Sequence, residues 1–348
     1  MGMQRLLLIV ALALVNRPLH IYGNLLVEIV LQRLRRHGGS LLFLYTVTLL
    51  VPAGSTYLLK PTTFFGPCKS AVIVTNIGLD GTDRSYWILF NGVKNLTVKG
   101  ECKVAPTALT FQSCNNLRVK NLRFKDSQQM HVSFSQCANV DVSSVTISAP
   151  GSSPNTDGVH VSGSINVMIS NSIIRTGDDC LSIVGGSRAV TATNIVCGPG
   201  HGISIGSLGA NGAEDTVSDI LVDTARLEGT TNGVRIKTWQ GGKGYARNIT
   251  FKNIVMDNVK NPIIIDQNYC DSTKPCSEKK SAVAISGVTY KNVRGTSATD
   301  VAVDLDCSRT VPCRGIVLQD INLVTANGVS SKSVCHNINL SKNGNFVP

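Results

Sequence analysis

The stretch NNLRVKNLRF (115–124) contains two short runs of alternating polar and apolar residues, joined by a polar turn. Alternation with a period of two is typical of half-buried β-strands. The same pattern returns seven times, as ANVDVSSVTI (138–147), INVMISNSII (165–174), RAVTATNIVC (188–197), SDILVDTARL (218–227), RNITFKNIVM (247–256), SGVTYKNVRG (286–295) and RGIVLQDINL (314–323).

The eight segments repeat at intervals of 23, 27, 23, 30, 29, 39 and 28 residues. These intervals separate one equivalent position per segment: Asn116, Asn139, Asn166, Ala189, Asp219, Asn248, Gly287 and Gly315. Repeats of this length indicate a solenoid, and strand pairs with little helix predict an all-β, right-handed parallel β-helix. Asparagines stacked at the turns should form hydrogen-bonded ladders. A β-sandwich, which also has short strands at regular spacing, is the alternative.

Composition supports a folded domain and leaves the class of partner open. The 348 residues are 43% hydrophobic and 16% charged, which is enough apolar material for a sizeable core and excludes a disordered chain. The net charge of +11 suits either nucleic acid or an acidic polysaccharide. Basic residues are scattered outside 33–36, and no stacking aromatics interleave with them, so we do not expect single-stranded nucleic acid as the partner.

The cysteines and sequons favour a secreted protein. The chain has 11 cysteines without a CxxC motif, and sequons at Asn95, Asn248 and Asn339, which together indicate a disulfide-bonded extracellular protein. The apolar run Leu6–Val15 after Arg5 resembles the core of a signal peptide. We expect residues 1–50 to be an atypical N-terminal segment, signal-like or mis-spliced, and residues 51–348 to form the β-helix without stable membrane association.

Stacking of the coils predicts a cluster of chemically active residues. Residues one coil apart lie above one another at about 4.8 Å. Asp157 and Asp178 are 21 residues apart, and Asp179 and His201 are 22 apart, so SPNTDGVHV, TGDDCLSI and PGHGISIGS should occupy the same position on three coils. The following coil contributes NGVRIKTW (232–239), whose arginine and lysine alternate with isoleucine and face one side.

Such a cluster is suited to acid–base hydrolysis. Crowded carboxylates cannot all ionise freely, so one should have a raised pKa and act as a proton donor to a glycosidic bond. Arg235 and Lys237 would bind negative charge on the substrate, and His201 would hold the acid's protonation state. Each residue alone also fits a solvated turn or a basic strand face. A calcium site made of the three acids is a second alternative, against which the histidine and lysine count.

The motifs SPNTDG (153–158), GDDC (177–180), GHG (200–202) and RIK (235–237) resemble those of the polygalacturonases, glycoside hydrolase family 28, most closely the plant enzymes. The resemblance extends from about Val51 to the C-terminus. It implies a right-handed parallel β-helix that hydrolyses α-1,4 links between galacturonates in de-esterified pectin, with inversion and without a metal or cofactor. It also implies a secreted, cell-wall protein, which we expect to be monomeric and endo-acting.

The resemblance also assigns roles by position. It makes Asp178 the general acid, with an acid-to-base separation of about 6.5–9.5 Å to leave room for water. The other implied roles are water activation by Asp157 and Asp179, support of the acid by His201, binding of galacturonate carboxylates by Arg235 and Lys237, completion of the cleft by Asn155 and Tyr269, and a disulfide between Cys180 and Cys197.

The chain departs from the family pattern near its N-terminus. Relatives carry a Gly- and Trp-rich segment of about one coil between NLTVKG (95–100) and ECKVAPTALTF (101–111), and their usual N-terminal stretch is absent here. We therefore expect Cys102 to lack a partner. We expect the same of Cys335, because relatives continue beyond the position of Pro348 to a final cysteine. Two hypotheses follow: an active pectin hydrolase, or a catalytically impaired pectin-binding β-helix whose missing coil spoils the fold or the cleft.

Overall fold

The computed structural model describes residues 88–98, 109–271 and 277–347, together with the backbone of Lys99 and of five earlier strands within 28–75. The predicted signal-like run Leu6–Val15 and Cys102 lie outside the described residues. The placement of a segment boundary at residue 51 stays a prediction.

Apart from a 3₁₀ turn at Ala210–Gly212, the regular structure that is described consists of β-strands. In chain order they are β1 (Glu28–Ile29), β2 (Gln32–Arg33), β3 (Tyr45–Leu50), β4 (Thr62–Phe65), β5 (Ala71–Thr75), β6 (Ile88–Asn91), β7 (Leu96–Lys99), β8 (Leu109–Gln112), β9 (Asn115–Lys120), β10 (Arg123–Lys125), β11 (Val132–Ser135), β12 (Ala138–Ser143), β13 (Thr146–Ser148) and β14 (Val159–Ser162). The remainder are β15 (Ile165–Arg175), β16 (Asp179–Ile183), β17 (Arg188–Cys197), β18 (Gly202–Leu208), β19 (Glu214–Glu228), β20 (Asn232–Trp239), β21 (Lys243–Val259), β22 (Asn261–Tyr269), β23 (Ala284–Ser297), β24 (Val301–Asp306), β25 (Cys313–Thr325), β26 (Lys332–His336) and β27 (Ile338–Val347).

The strands form two long sheets between which the chain alternates. From β14 onward each strand leaves one sheet for the other, and then returns beside the strand of the previous coil, in the order β14-β16-β18-β20-β22-β24-β26 on one sheet. All described pairings are parallel except those of β1 and β2 with β3. Parallel pairing with the preceding coil defines a parallel β-helix and excludes a sandwich of antiparallel sheets.

The core consists of columns of apolar side chains, one from each coil. One column follows the register of the 16-stranded sheet through Val98, Val119, Val142, Ile169, Ala192, Val222, Phe251, Tyr290 and Leu318, all of them buried. A second column runs inside the other sheet from Phe90 to Leu305 and is also buried. Because each coil covers the apolar face of the next, a single repeat has no core of its own.

The predicted turn ladders are confirmed. All eight positions that the repeat makes equivalent have positive φ, between 54° and 63°, a conformation that asparagine and glycine tolerate best. Their amides form a ladder: Asn116 donates to Asn95 (3.0 Å), Asn139 to Asn116 (3.2 Å) and Asn166 to Asn139 (2.7 Å). The repeated asparagines therefore set the corners of the coils and link them.

The two sheets are continuous on either side of residues 100–108, where the family resemblance predicts a missing coil. Ile88 pairs directly with Leu109, and Thr97 pairs with Arg118. The stacked rings of Phe90, Phe111 and Phe134 continue the core across the same point, with centroid distances of 5.4 and 5.1 Å. Strand pairing is therefore unbroken from β6 to β8 and from β7 to β9. The coils that follow pair with these strands.

Candidate active site

The candidate residues converge on the outer face of the 11-stranded sheet, in a register that differs from the expected one. Val159 pairs with Leu181, a step of 22 residues, which places Asp157 beside Asp179 and not beside Asp178. Asp179 pairs with Gly202, a step of 23, which places Asp178 beside His201. The expected pairing of Asp157 with Asp178 and of Asp179 with His201 is therefore wrong by one residue.

A β-bulge explains how two adjacent acids reach the same site. Asp179 and Leu181 stand opposite the consecutive residues Gly202 and Ile203, so Cys180 is the extra residue. A bulge re-aims side chains that plain alternation would send to opposite faces. Gly177 precedes the bulge at a position where a Cβ would clash with the backbone oxygen of Ser153. The glycine permits close packing of two coils rather than a left-handed bend.

Asp178 and His201 form a pair at the partly exposed edge of the cluster. His201 Nδ1 lies 2.9 Å from Asp178 Oδ1, and that oxygen also accepts a hydrogen bond from the backbone N–H of Asp179 (2.8 Å). The second oxygen accepts from the backbone N–H of Asn155 (3.2 Å). Gly200 positions the histidine, since its φ of +123° and its contact with the Asp178 carbonyl leave no room for a side chain.

Asp179 is buried, with about 2% of its surface exposed, and both of its oxygens bind protein donors. Oδ1 accepts from Ser204 Oγ (2.6 Å) and from a terminal nitrogen of Arg235 (3.0 Å), while Oδ2 accepts from Lys237 Nζ (3.3 Å). Arg235 Nε also donates to Ser204 Oγ (3.1 Å). Two cations and a hydroxyl therefore occupy both oxygens of this carboxylate and fix its position.

Asp157 has a different environment, made of neutral donors. Ser182 Oγ donates to Asp157 Oδ2 (2.6 Å), and His160 Nδ1 lies 2.8 Å from the same hydroxyl. Sequence analysis did not identify Ser182, Ser204 or His160. The available signal was spacing, because His160, Ser182 and Ser204 follow one another at steps of 22 residues on successive strands.

One carboxyl group has the raised pKa that crowding predicts, and it is Asp157. Burial first, and then the negative charges of Asp179 and Asp178, raise the pKa of Asp157 to about 6. Burial also disfavours the charged form of Asp178, but the hydrogen bond and charge of His201 outweigh it and lower the pKa of Asp178. The hydrogen bond to Asp178 raises the pKa of His201 above its usual value, so this pair holds one proton near neutral pH.

A buried histidine supports the site from behind. His131 Nε2 accepts a hydrogen bond from the backbone N–H of Ser127 (3.3 Å), so Nδ1 carries the proton and donates to the Asp157 carbonyl (3.0 Å). Burial lowers the pKa of His131 to about 4, which keeps the ring neutral. His131 therefore fixes the backbone of Asp157 and is a further residue that the sequence did not reveal.

Acid should weaken the fold through His131. The pKa of His131 is about 4 in the folded protein and about 6.5 in the unfolded chain. The free energy of unfolding is therefore highest, as far as His131 is concerned, above pH 6.5, and it decreases as pH falls toward 4. The loss is on the order of 3 kcal/mol. In urea unfolding, His131→Gln should be less stable than wild type at pH 7, and this gap should narrow at pH 4. The exposed His336→Gln serves as control, and an unchanged gap for His131→Gln would contradict the expectation.

Asn155 and Tyr269 lie at the edges of the cluster. Asn155 is exposed and contacts Asp178 through its backbone. The Tyr269 ring lies 5.3 Å from Lys237 Nζ and packs edge-on against Trp239 at 5.5 Å. Burial and the neighbouring Asp271 raise the pKa of Tyr269 to about 12, so its hydroxyl remains a donor. Tyr269 is therefore linked to the acid cluster by its contact with Lys237.

Asp178 and Asp179 approach each other more closely than the acid-to-base separation expected for inversion. A carboxylate oxygen of Asp178, one of Asp179 and a ring nitrogen of His201 all lie within 4.8 Å of one another. That spacing is below the separation of about 6.5–9.5 Å that inverting enzymes usually show. The distance between these two acids therefore does not support inversion, which stays a prediction.

The cluster is poorly suited to calcium. Calcium prefers six to eight oxygen ligands, whereas the oxygens of Asp179 already bind Ser204, Arg235 and Lys237. A divalent ion there would meet two positive charges at close range. The donor set therefore favours an anionic ligand over a metal ion.

A disulfide between Cys180 and Cys197 fixes the bulge to the following strand. A second disulfide joins Cys307 and Cys313, and Cys335 is free, as expected. None of the helical segments in the described ranges is long and apolar enough to cross a membrane.

Comparison with known proteins identifies relatives over most of the chain. Residues 44–344 match the family described as Glycosyl hydrolases family 28. The chain is 51% identical to a polygalacturonase of Persea americana, over 83% of this chain and 70% of that protein. It is 49% identical to polygalacturonase QRT2 of Arabidopsis thaliana, over 87% and 76%. The crystal structure of endo-xylogalacturonan hydrolase from Aspergillus tubingensis superimposes with a TM-score of 0.72 at 21% identity, covering 86% of this chain and 92% of that chain.

Proposed function

We infer that this chain, which belongs to glycoside hydrolase family 28 and has its right-handed parallel β-helix fold, hydrolyses galacturonosidic bonds in pectin. The observation that carries the assignment is the convergence of Asp157, Asp178 and Asp179 with one histidine and two cations on one sheet face. Proton donor, proton acceptor and anion-binding groups are all present in this cluster. The relatives that share about half of its sequence are named polygalacturonases.

We propose that Asp178 is the general acid and that His201 stores its proton. The pair is partly exposed, so the oxygen that links two sugars can approach Asp178. Between the lowered pKa of Asp178 and the raised pKa of His201 the pair carries one proton. As the bond from the anomeric carbon to the linking oxygen breaks, this proton moves to the leaving oxygen. Activity should therefore fall as pH rises through the pKa of His201.

We propose that Asp157 is the base that takes the proton of the attacking water. A base works best when its pKa lies near the working pH, and burial raises the pKa of Asp157 to about 6. Both oxygens of Asp179 already accept hydrogen bonds from Ser204, Arg235 and Lys237, so this carboxylate is less accessible to a proton of the attacking water. We assign it the role of holding the water and stabilising positive charge that develops on the sugar. The water oxygen bonds to the anomeric carbon while its proton passes to Asp157.

Arg235 and Lys237 retain donors for a substrate carboxylate. Arg235 uses Nε and one terminal nitrogen inside the cluster, and Lys237 donates one hydrogen bond to Asp179, so further N–H groups remain. Tyr269 lies beside Lys237 and completes the cationic edge. A galacturonate unit bound here would place its negative charge on two cations, which supports the choice of de-esterified pectin as substrate.

We further propose that the enzyme is endo-acting, inverts the anomeric carbon, works as a monomer and is secreted to the cell wall. The disulfides Cys180–Cys197 and Cys307–Cys313 support an oxidising extracellular compartment. The plant relatives are named polygalacturonases, and pectin, which contains polygalacturonate, is a polymer of the cell wall. The alternative is a β-helix that binds pectin without cutting it. The paired strands on both sides of residues 100–108 favour the active enzyme over this alternative.

Release of reducing ends from polygalacturonate by the purified, folded chain tests the assignment. We expect turnover without added metal. Early appearance of a range of oligomers would support endo action, whereas release of monomer alone would contradict it, and NMR of the first product anomer would decide inversion. Folded protein that binds the polymer and releases no reducing ends would establish the alternative.

A further inference from the structure

Two serine hydroxyls on adjacent strands have the same relation to the carboxylates of Asp157 and Asp179. Ser182 pairs in register with Ser204. Ser182 Oγ donates to Asp157 (2.6 Å) and Ser204 Oγ donates to Asp179 (2.6 Å). A hydroxyl has one hydrogen to donate, so each serine must accept its remaining hydrogen bond from another group.

The group that hydrogen-bonds to each serine oxygen differs in charge between Ser182 and Ser204. Arg235 Nε donates to Ser204 (3.1 Å), and His160 Nδ1 lies 2.8 Å from Ser182. Since Ser182 spends its hydrogen on the ionised Asp157, His160 must carry a proton on Nδ1 and donate it to the serine. His160, Ser182, Ser204 and Arg235 form one column on successive strands of the sheet. The column therefore contains two hydrogen-bond chains, one ending in an imidazole and the other in a guanidinium.

We propose that His160 is a positioning residue that acts through Ser182 to hold and orient Asp157 as the base of the reaction. The proposal rests on the proposed function, in which Asp157 takes the proton of the attacking water. The chain runs from His160 Nδ1–H to Ser182 Oγ and from Ser182 O–H to Asp157 Oδ2. It fixes the carboxylate while leaving its other oxygen available to water.

A neutral histidine gives Asp157 support without the charge that would make it a weak base. Burial lowers the pKa of His160 to about 4, so the ring is uncharged at working pH. Asp179 is instead held by the charged Arg235 and Lys237 as well as by Ser204, so both of its oxygens are occupied. The difference between the two supporting chains thus favours Asp157 as the base.

Other charged groups around Asp157 must be counted in its titration. Asp178 and Asp179 raise its pKa and Lys237 lowers it, while the hydrogen bond from Ser182 also lowers it. His131, on the preceding coil, is neutral and binds the Asp157 backbone. Burial and the two acids raise the pKa of Asp157, and the hydrogen bond from Ser182 opposes them. Without the Ser182 hydroxyl this pKa should rise further, so Asp157 should ionise at higher pH.

Kinetics of Ser182→Ala test the chain. We expect kcat on polygalacturonate to fall about tenfold or more with a smaller change in KM, and the acidic limb of the pH profile to move upward by about one pH unit. Ser187→Ala is the matched control, because it removes a buried hydroxyl that bonds only the Val161 carbonyl, and its pH profile should equal that of wild type. A wild-type limb in Ser182→Ala would overturn the proposal.

The histidine is tested by a double-mutant cycle. His160→Ala should shift the acidic limb in the same direction as Ser182→Ala, and adding it to Ser182→Ala should have little further effect, since His160 acts through the serine. His160→Asn, whose amide N–H can replace Nδ1–H, should restore most of the activity. Additive effects of the two alanine changes would contradict the proposed order.

NMR provides a readout that does not depend on catalysis. In protein labelled with ¹⁵N-histidine, the His160 signals, assigned by their loss in His160→Asn, should show the proton on Nδ1 at pH 7. Ser182→Ala should alter this signal. A proton on Nε2 in the wild type would overturn the chain even if the enzyme is active, and an inactive wild type with the Nδ1 proton would refute the proposed function alone.

Discussion

Replacing Asp178 by asparagine should lower kcat on polygalacturonate by about a thousandfold, because the leaving oxygen then has no proton donor. Asparagine keeps the size of the side chain, and its one amide oxygen can still accept from the backbone N–H of Asn155 or from that of Asp179, which bind different oxygens of the acid. The loss should therefore appear in kcat with KM little changed. Steady-state release of reducing ends at several pH values measures it.

The same change should also free His201. Without the carboxylate, the main cause of its raised pKa is removed, so the histidine should titrate closer to its usual value. Equal melting temperatures for the variant and wild type would show that the loss is chemical. A variant that retained a tenth or more of wild-type kcat would rule out Asp178 as the acid.

Replacing Asp179 by asparagine should impair both activity and stability. Arg235 and Lys237 are about 13% and 12% exposed, so removal of their shared anion leaves two largely buried cations without a partner. Loss of one member of a buried ion pair commonly costs about 3–5 kcal/mol. We expect kcat/KM to fall by at least a hundredfold, and the free energy of unfolding in urea to fall within that range.

Asp141→Asn is the matched control for this change. Asp141 pairs with Lys120 at 2.8 Å, but both side chains are more than a third exposed. Surface pairs of this kind contribute about 0–1 kcal/mol, so the control should keep both activity and stability. An Asp179→Asn protein as stable as the control would show that the two cations do not depend on this carboxylate.

The fold was largely predictable from local pattern. Alternation within NNLRVKNLRF (115–124) and its repeats marks the strands, because side chains along a strand point to opposite faces. Recurrence at 23–39 residues marks the coils, and the turn positions inferred from it, such as Asn116 and Asn166, all have positive φ. Stacking then places residues from distant motifs on one face, which is why SPNTDG, GDDC and GHG could be assigned to one cluster.

The details of the site were not predictable in the same way. The bulge at Cys180 shifts the register between β16 and β18, so that Asp178 and not Asp179 lies beside His201, and a repeat of unequal steps does not specify such a shift. The supporting residues Ser182, Ser204 and His160 carry no motif of their own. They contact the carboxylates only because three coils stack with their outward faces aligned.

The sequence by itself determined the solenoid, the face that carries the acids and the chemical class of the cluster, since these follow from side-chain period and residue type. Only the tertiary structure decided which acid has the raised pKa. In the sequence, Asp157 and Asp179 look alike, because each follows a small or acidic residue. In the structure, burial among neutral donors raises the pKa of Asp157, whereas Asp179 forms ion pairs with Arg235 and Lys237. Protonation depends on the sum of burial and charge from several coils, and no single stretch of the chain contains that sum.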